Sequence, residues 1–111
     1  MDFNEYQRIA TQTIEYPEAD NNLVYPALGL AGEVGEVVEI IKKNYRLTGE
    51  ISSSFLGDSS KLEKEMGDVL WYLAALCTEL DIDLDYIARL NLEKLKDRKE
   101  RGVIKGEGDN R

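Results

Sequence analysis

Apolar residues recur along this chain with a helical period, and no stretch alternates convincingly in the manner of a half-buried strand. Between Pro26 and about residue 46, Leu30, Val34, Val37, Val38 and Ile41 fall on one arc at about 100° per residue. A second segment, from residue 60 to about 80, is apolar nearly all round, and Val69 to Cys77 forms an uninterrupted run of nine apolar residues. Such a helix belongs in an interior, and the run is too short to cross a bilayer. A shorter helix is predicted over about 3–13, with Asp2 or Asn4 as its cap. A fourth is predicted over about 83–100, with Asp81 and Asp83 as candidate caps and Gly102 just past its end. Pro26 suits a first helical turn, where its missing N–H is not needed. Ser60-Lys-Leu-Glu63 has the spacing of a capping box. Residues 14–24 and 48–59 read as connections. Four helices, two of them long, predict an all-α, bundle-like unit forming a single domain over residues 1–101. Residues 102–111, GVIKGEGDNR, read as a Gly-rich, charged tail, flexible or ordered only conditionally.

Composition narrows the chemistry. The 111 residues carry 14 Lys+Arg against 22 Asp+Glu, a formal charge of −8. That balance argues against duplex DNA as a partner and favours a cationic one, of which a divalent metal is the smallest. There is no His, which excludes Ser-His-Asp and Cys-His catalysis and His-ligated zinc or di-iron. The single Cys77 excludes an internal disulfide and reads as an inert core thiol. The start, MDFNEYQ, is polar and acidic, unlike a signal peptide. A cytoplasmic protein with no membrane or nucleic-acid partner is the expectation.

Two pairs of carboxylates stand out. Glu33 and Glu36, and Glu65 and Asp68, are each spaced i, i+3 and so share a helix side. Glu33 and Glu36 border the apolar arc of the second helix, with Gly29 and Gly32 one turn before them. Glu65 and Asp68 lie on a line that continues through Tyr72 and Leu76. If the two long helices pack antiparallel, the pairs face each other, and four half-buried carboxylates call for protons or a hard divalent cation. One ExxE pair alone is common on a solvated face; two pairs beside apolar arcs make a metal site the sharper reading. The glycines permit close helix packing or leave room for a ligand. On the fourth helix, Leu84, Ile87, Asn91, Lys94, Leu95 and Arg98 share a side that turns from apolar to basic. Lys94 and Arg98 could pair with phosphate oxygens and Asn91 with a base or sugar; the plainer alternative is that both cations snorkel on the surface. Trp71 reads as a core or interface residue, and Tyr72 as an aromatic on the carboxylate face.

The stretch LGLAGEVGEVVEIIKK, followed by EKEMGDVLWYL, resembles the MazG-like all-α nucleotide pyrophosphohydrolases. Their motif is E-x-x-E, a variable spacer and E-x-x-D. Here it reads Glu33-Val-Gly-Glu36, a spacer of 28 residues (37–64), then Glu65-Met-Gly-Asp68. The spacer is long for the motif. NLEKLKDRKERG and the ending GEGDNR also resemble small single-domain members. The resemblance implies hydrolysis of a nucleoside triphosphate to the monophosphate and pyrophosphate, in a house-cleaning or pool-regulating role. It implies Mg2+, with Mn2+ able to stand in, held by Glu33, Glu36, Glu65 and Asp68. Glu33 and Glu36 are then the candidates for the proton acceptor. Tyr72, Asn91 and Lys94 match substrate-contacting positions, and Arg98 matches less closely. The fold implied is a four-helix unit that assembles as a homodimer or as a homotetramer of paired dimers.

Two other readings compete. One is a non-catalytic acidic helical module that binds a partner through its apolar faces and needs no metal. The other is a hydrolase of the same architecture acting on a different pyrophosphate-containing compound. The complete carboxylate set and the Asn91–Lys94 pair favour the nucleotide enzyme over the module, but do not separate the two hydrolases.

Overall fold

The computed structural model describes residues 1–53 and 57–111. Within them the chain is all-helical: α1 (Phe3–Ala10), a 3-10 turn (Thr11–Thr13), α2 (Val24–Thr48), α3 (Ser60–Glu79) and α4 (Leu84–Glu100). The four predicted helices are present, with shifted ends. Asp2 caps α1, its carboxylate accepting from the Glu5 N–H at 2.8 Å. The expected helix over 3–13 tightens to the 3-10 turn after Ala10. α2 begins two residues earlier than expected, because the Asn22 side chain accepts the Tyr25 N–H at 3.0 Å and starts the turn ahead of Pro26. Pro26 sits in that first turn and is fully buried. α2 stops at Gly49, whose left-handed φ of 70° lets its N–H return to the Tyr45 carbonyl at 2.7 Å.

Two capping expectations are corrected. The Ser60–Glu63 capping box does not form: Ser59 is the N-cap without a side-chain bond, and Asp58 accepts the Ser60 N–H at 2.9 Å. At α4, Asp83 occupies the N-cap position but its side chain caps nothing. The first N–H of the helix, on Leu84, is accepted by the side-chain oxygen of Gln7 in α1, at 2.8 Å. The amide nitrogen of Gln7 also donates to Thr78 Oγ1 (3.0 Å) and the Ile82 carbonyl (3.1 Å). One side chain thus ties α1 to the α3–α4 turn, and no spacing along the chain announces it. The part of the predicted 48–59 connection at 54–56 lies outside the described residues.

α2 and α3 form the main antiparallel hairpin, and α1 packs on α3 and α4. The best-buried cluster is Ala74, Cys77 and Leu84, joined by Tyr6, Leu70, Leu73 and Ile87. Burial pushes the Cys77 thiol pKa up, as befits a core thiol. Among the described residues α4 meets the helices α1 and α3, and no contact joins it to α2. The radius of gyration, 17.0 Å, exceeds the roughly 13 Å of a compact chain of this length. Large apolar side chains remain uncovered on α2 (Val34, Val38, Ile41, Tyr45), on α3 (Met66) and on α4 (Leu90, Leu92, Leu95). The all-round apolar α3 is accordingly only half-covered within one chain.

Candidate active site

The α2–α3 hairpin carries the acidic centre. One carboxylate oxygen from each of Glu33, Glu65 and Asp68 lies within 4.8 Å of the other two, with Glu33 and Glu65 half-buried and Asp68 exposed. Partial burial raises the Glu33 pKa, and the charge of Asp68, a hydrogen bond with Glu65 and the charge of Glu36 raise it further. Among the described residues no Lys or Arg pairs with any member of this group. Three mutually repelling oxygen donors at this spacing, without a protein cation, fit a hard divalent metal. Glu36 is exposed and outside the group of three, though its charge bears on Glu33.

An aromatic ladder adjoins the carboxylates. Tyr16 stacks on Tyr25 at 4.8 Å between ring centroids, Tyr25 lies 6.5 Å from Tyr72, and Trp71 meets Tyr72 edge-on at 4.9 Å. Trp71 is half-buried, its indole N–H donating to Thr13 Oγ1 at 2.8 Å. Burial raises the Tyr72 pKa first, then Tyr25, and Glu33 and Asp68 add to it. Tyr72 lies so close to α2 that its ring fills the place a Cβ on Gly29 would take. Gly32 and Gly35, by contrast, face open space within the chain, so close packing accounts for one of the three α2 glycines. At the base of the ladder, Glu79 accepts from the Tyr16 hydroxyl and from the Asp20 and Asn22 backbone N–H groups at 3.1 Å each. That carboxylate ties the 14–23 connection to α3 at Tyr16, Asp20 and Asn22.

The basic face of α4 forms a separate groove. Ile87, Leu90, Asn91, Glu93, Lys94 and Asp109 line a space of about 550 Å³, and none of the carboxylates of the acidic centre is among them. Lys94 Nζ lies 2.8 Å from Asp109 Oδ1. Arg98, read as either a phosphate partner or a surface cation, is buried, with 6% exposure. Its Nη2 donates to the Asp109 carbonyl (2.8 Å) and to Oδ1 (3.0 Å). The reason is tertiary: the segment after Gly102 turns back over α4. The structure thus brings Glu33, Glu65 and Asp68 together near Tyr72, and Asn91 with Lys94 elsewhere. Tyr25 and Asp109 belong to these surroundings and were not foreseen, since nothing in local spacing links them to their partners.

An all-helical chain whose longest hairpin presents a histidine-free carboxylate centre defines a narrow class. The family profile of the MazG nucleotide pyrophosphohydrolase domain matches residues 26–103, and the chain belongs to that family. Along its full length it is similar to the Gene 37 protein of Mycobacterium phage L5, with 42% identity over 117 aligned positions covering all of both chains. No solved structure matches it significantly. Among the described residues no helix is long and apolar enough to cross a membrane.

Proposed function

We propose that this protein is a Mg2+-dependent nucleoside triphosphate pyrophosphohydrolase. The observation carrying the reading is the unpaired convergence of Glu33, Glu65 and Asp68 in a chain of this family. These three carboxylates would hold the metal, with Glu36 one turn away as a fourth candidate donor. Bound there, Mg2+ would neutralise triphosphate oxygens and polarise the reacting phosphorus. Glu33 or Glu36 accepts the proton of the attacking water. Water's oxygen joins the α-phosphorus as the bond to the departing pyrophosphate breaks. Tyr72, backed by Tyr25, offers a flat wall for the nucleoside.

The site is completed by a second copy of the chain. α4 makes no contact with α2, and none of Glu33, Glu65 and Asp68 lines the groove that holds Asn91 and Lys94; in this reading another protomer brings that pair to the carboxylates. The uncovered side chains of Val34, Val38, Ile41 and Met66 give such a copy its apolar footing. Small-angle scattering is expected to show a homodimer or homotetramer at micromolar concentration, and a monomer would remove this completion.

The reaction is tested by pyrophosphate release from the eight common ribo- and deoxyribonucleoside triphosphates, with Mg2+ and with chelator. Metal-dependent formation of monophosphate and pyrophosphate in equal amounts is expected. Release of inorganic phosphate alone, or no release from any of the eight, would reject the reading.

A further inference from the structure

The segment after α4 is built around one carboxylate. Asp109 Oδ1 is shared by two cations, Lys94 Nζ at 2.8 Å and Arg98 Nη2 at 3.0 Å. Arg98 is 6% exposed, and a guanidinium so buried is costly to leave without its counter-charge. Asp109 is in turn held by the turns on either side of it. The Val103 N–H returns to the Arg98 carbonyl and the Gly106 N–H to the Val103 carbonyl, each at 2.9 Å. The Arg111 guanidinium donates to the carbonyls of Gly108 (2.6 Å) and Val103 (3.1 Å). Lys94 differs from Arg98: its side chain is 41% exposed and lines the α4 groove.

We infer that Asp109 is a positioning residue that fixes the Lys94 ammonium at the groove so that it meets substrate phosphate. This rests on the nucleotide reading above. A free lysine explores many rotamers and loses that freedom when it engages a ligand. A tethered one has already lost much of that freedom, and two of its three N–H donors remain for phosphate oxygens. The buried Arg98 is the anchor that makes the tether rigid.

The test uses the full-length chain under conditions where each variant is folded, as judged by its melting curve. Asp109→Asn is expected to raise KM for the best triphosphate about tenfold, with kcat within about twofold. Asp109→Glu, which keeps the charge, is expected to recover part of the loss, and it carries the test if the Asn variant does not fold. Lys94→Gln is expected to raise KM similarly, and adding Asp109→Asn to it should change KM little further. An unaltered KM in Asp109→Asn overturns the inference. So does a lowered KM, which would make the segment a competitor of substrate. An undiminished effect in the Lys94→Gln background also overturns it, because Asp109 would then act by another route. Absence of turnover in the unmodified protein removes the functional reading itself, whereas turnover with an unaltered KM removes this inference alone.

Discussion

Asp68→Asn is expected to lower turnover by ~10²–10³-fold while leaving the helical circular-dichroism signal intact. Asp68 is the exposed member of the acidic group, so its replacement by an isostere disturbs no core packing. Its charge nevertheless bears on Glu33, Tyr72 and Tyr6, which places it electrically at the middle of the site. Removing one of three crowded negative charges relieves repulsion in the metal-free protein. The melting temperature without metal should therefore stay equal or rise, while the unmodified chain alone should be stabilised by millimolar Mg2+. That pair of readouts separates a lost ligand from a lost fold. Retained turnover, or an undiminished Mg2+ shift in the variant, would take Asp68 out of the metal shell.

Gly29→Ala is the second large effect. In most exposed helix interiors this change stabilises by about 1 kcal/mol, because alanine is the better helix former. Here the sign reverses. An added Cβ would overlap Tyr72 Cε1 and come within 2.5 Å of Cδ1 and Cζ. The ring cannot keep its place against α2, and overpacking of this kind costs about 1–3 kcal/mol. The displacement also breaks the approach of Tyr72 to Tyr25 and shifts the wall beside Glu33 and Asp68. We expect a melting temperature lower by several degrees and turnover reduced about tenfold or more. In a Tyr72→Ala background the same change should be neutral or stabilising, because the ring it strikes is gone. Equal destabilisation in both backgrounds would show that Gly29 matters for some other reason.

These expectations draw on the sequence and the fold in unequal shares. The four helices were legible from helical apolar patterning, all-round in α3, and three of them from a boundary residue as well: Asp2 ahead of α1, Pro26 in the first turn of α2, Gly102 after α4. The ends that slipped were the end of α1, where the chain after Ala10 tightens into the 3-10 turn, and the start of α2, where Asn22 accepts the Tyr25 N–H ahead of Pro26. Two caps also differ from the expected ones: Gln7 accepts the first N–H of α4 while the Asp83 side chain caps nothing, and Asp58 accepts the Ser60 N–H in place of a capping box. The acidic pairs were legible because i, i+3 spacing on two helices is a local property. Their family resemblance supplied a function that spacing alone leaves open.

The remaining features come from packing between segments far apart in the chain. Convergence of Glu33 with Glu65 and Asp68 needs the antiparallel register of α2 and α3, which periodicity does not specify. The need for glycine at position 29 comes from one tyrosine 43 positions later, whereas Gly32 and Gly35, indistinguishable in pattern, face open space. Arg98 and Lys94 sit four residues apart on one predicted face, yet one is buried and the other lines a groove, because Asp109 folds back between them. Local periodicity sets which residues become helical and which face each side chain occupies, since both depend on neighbours within a turn or two. Which face meets which, and which charge finds its partner, depends on the docking of whole helices, and only the folded chain decides it.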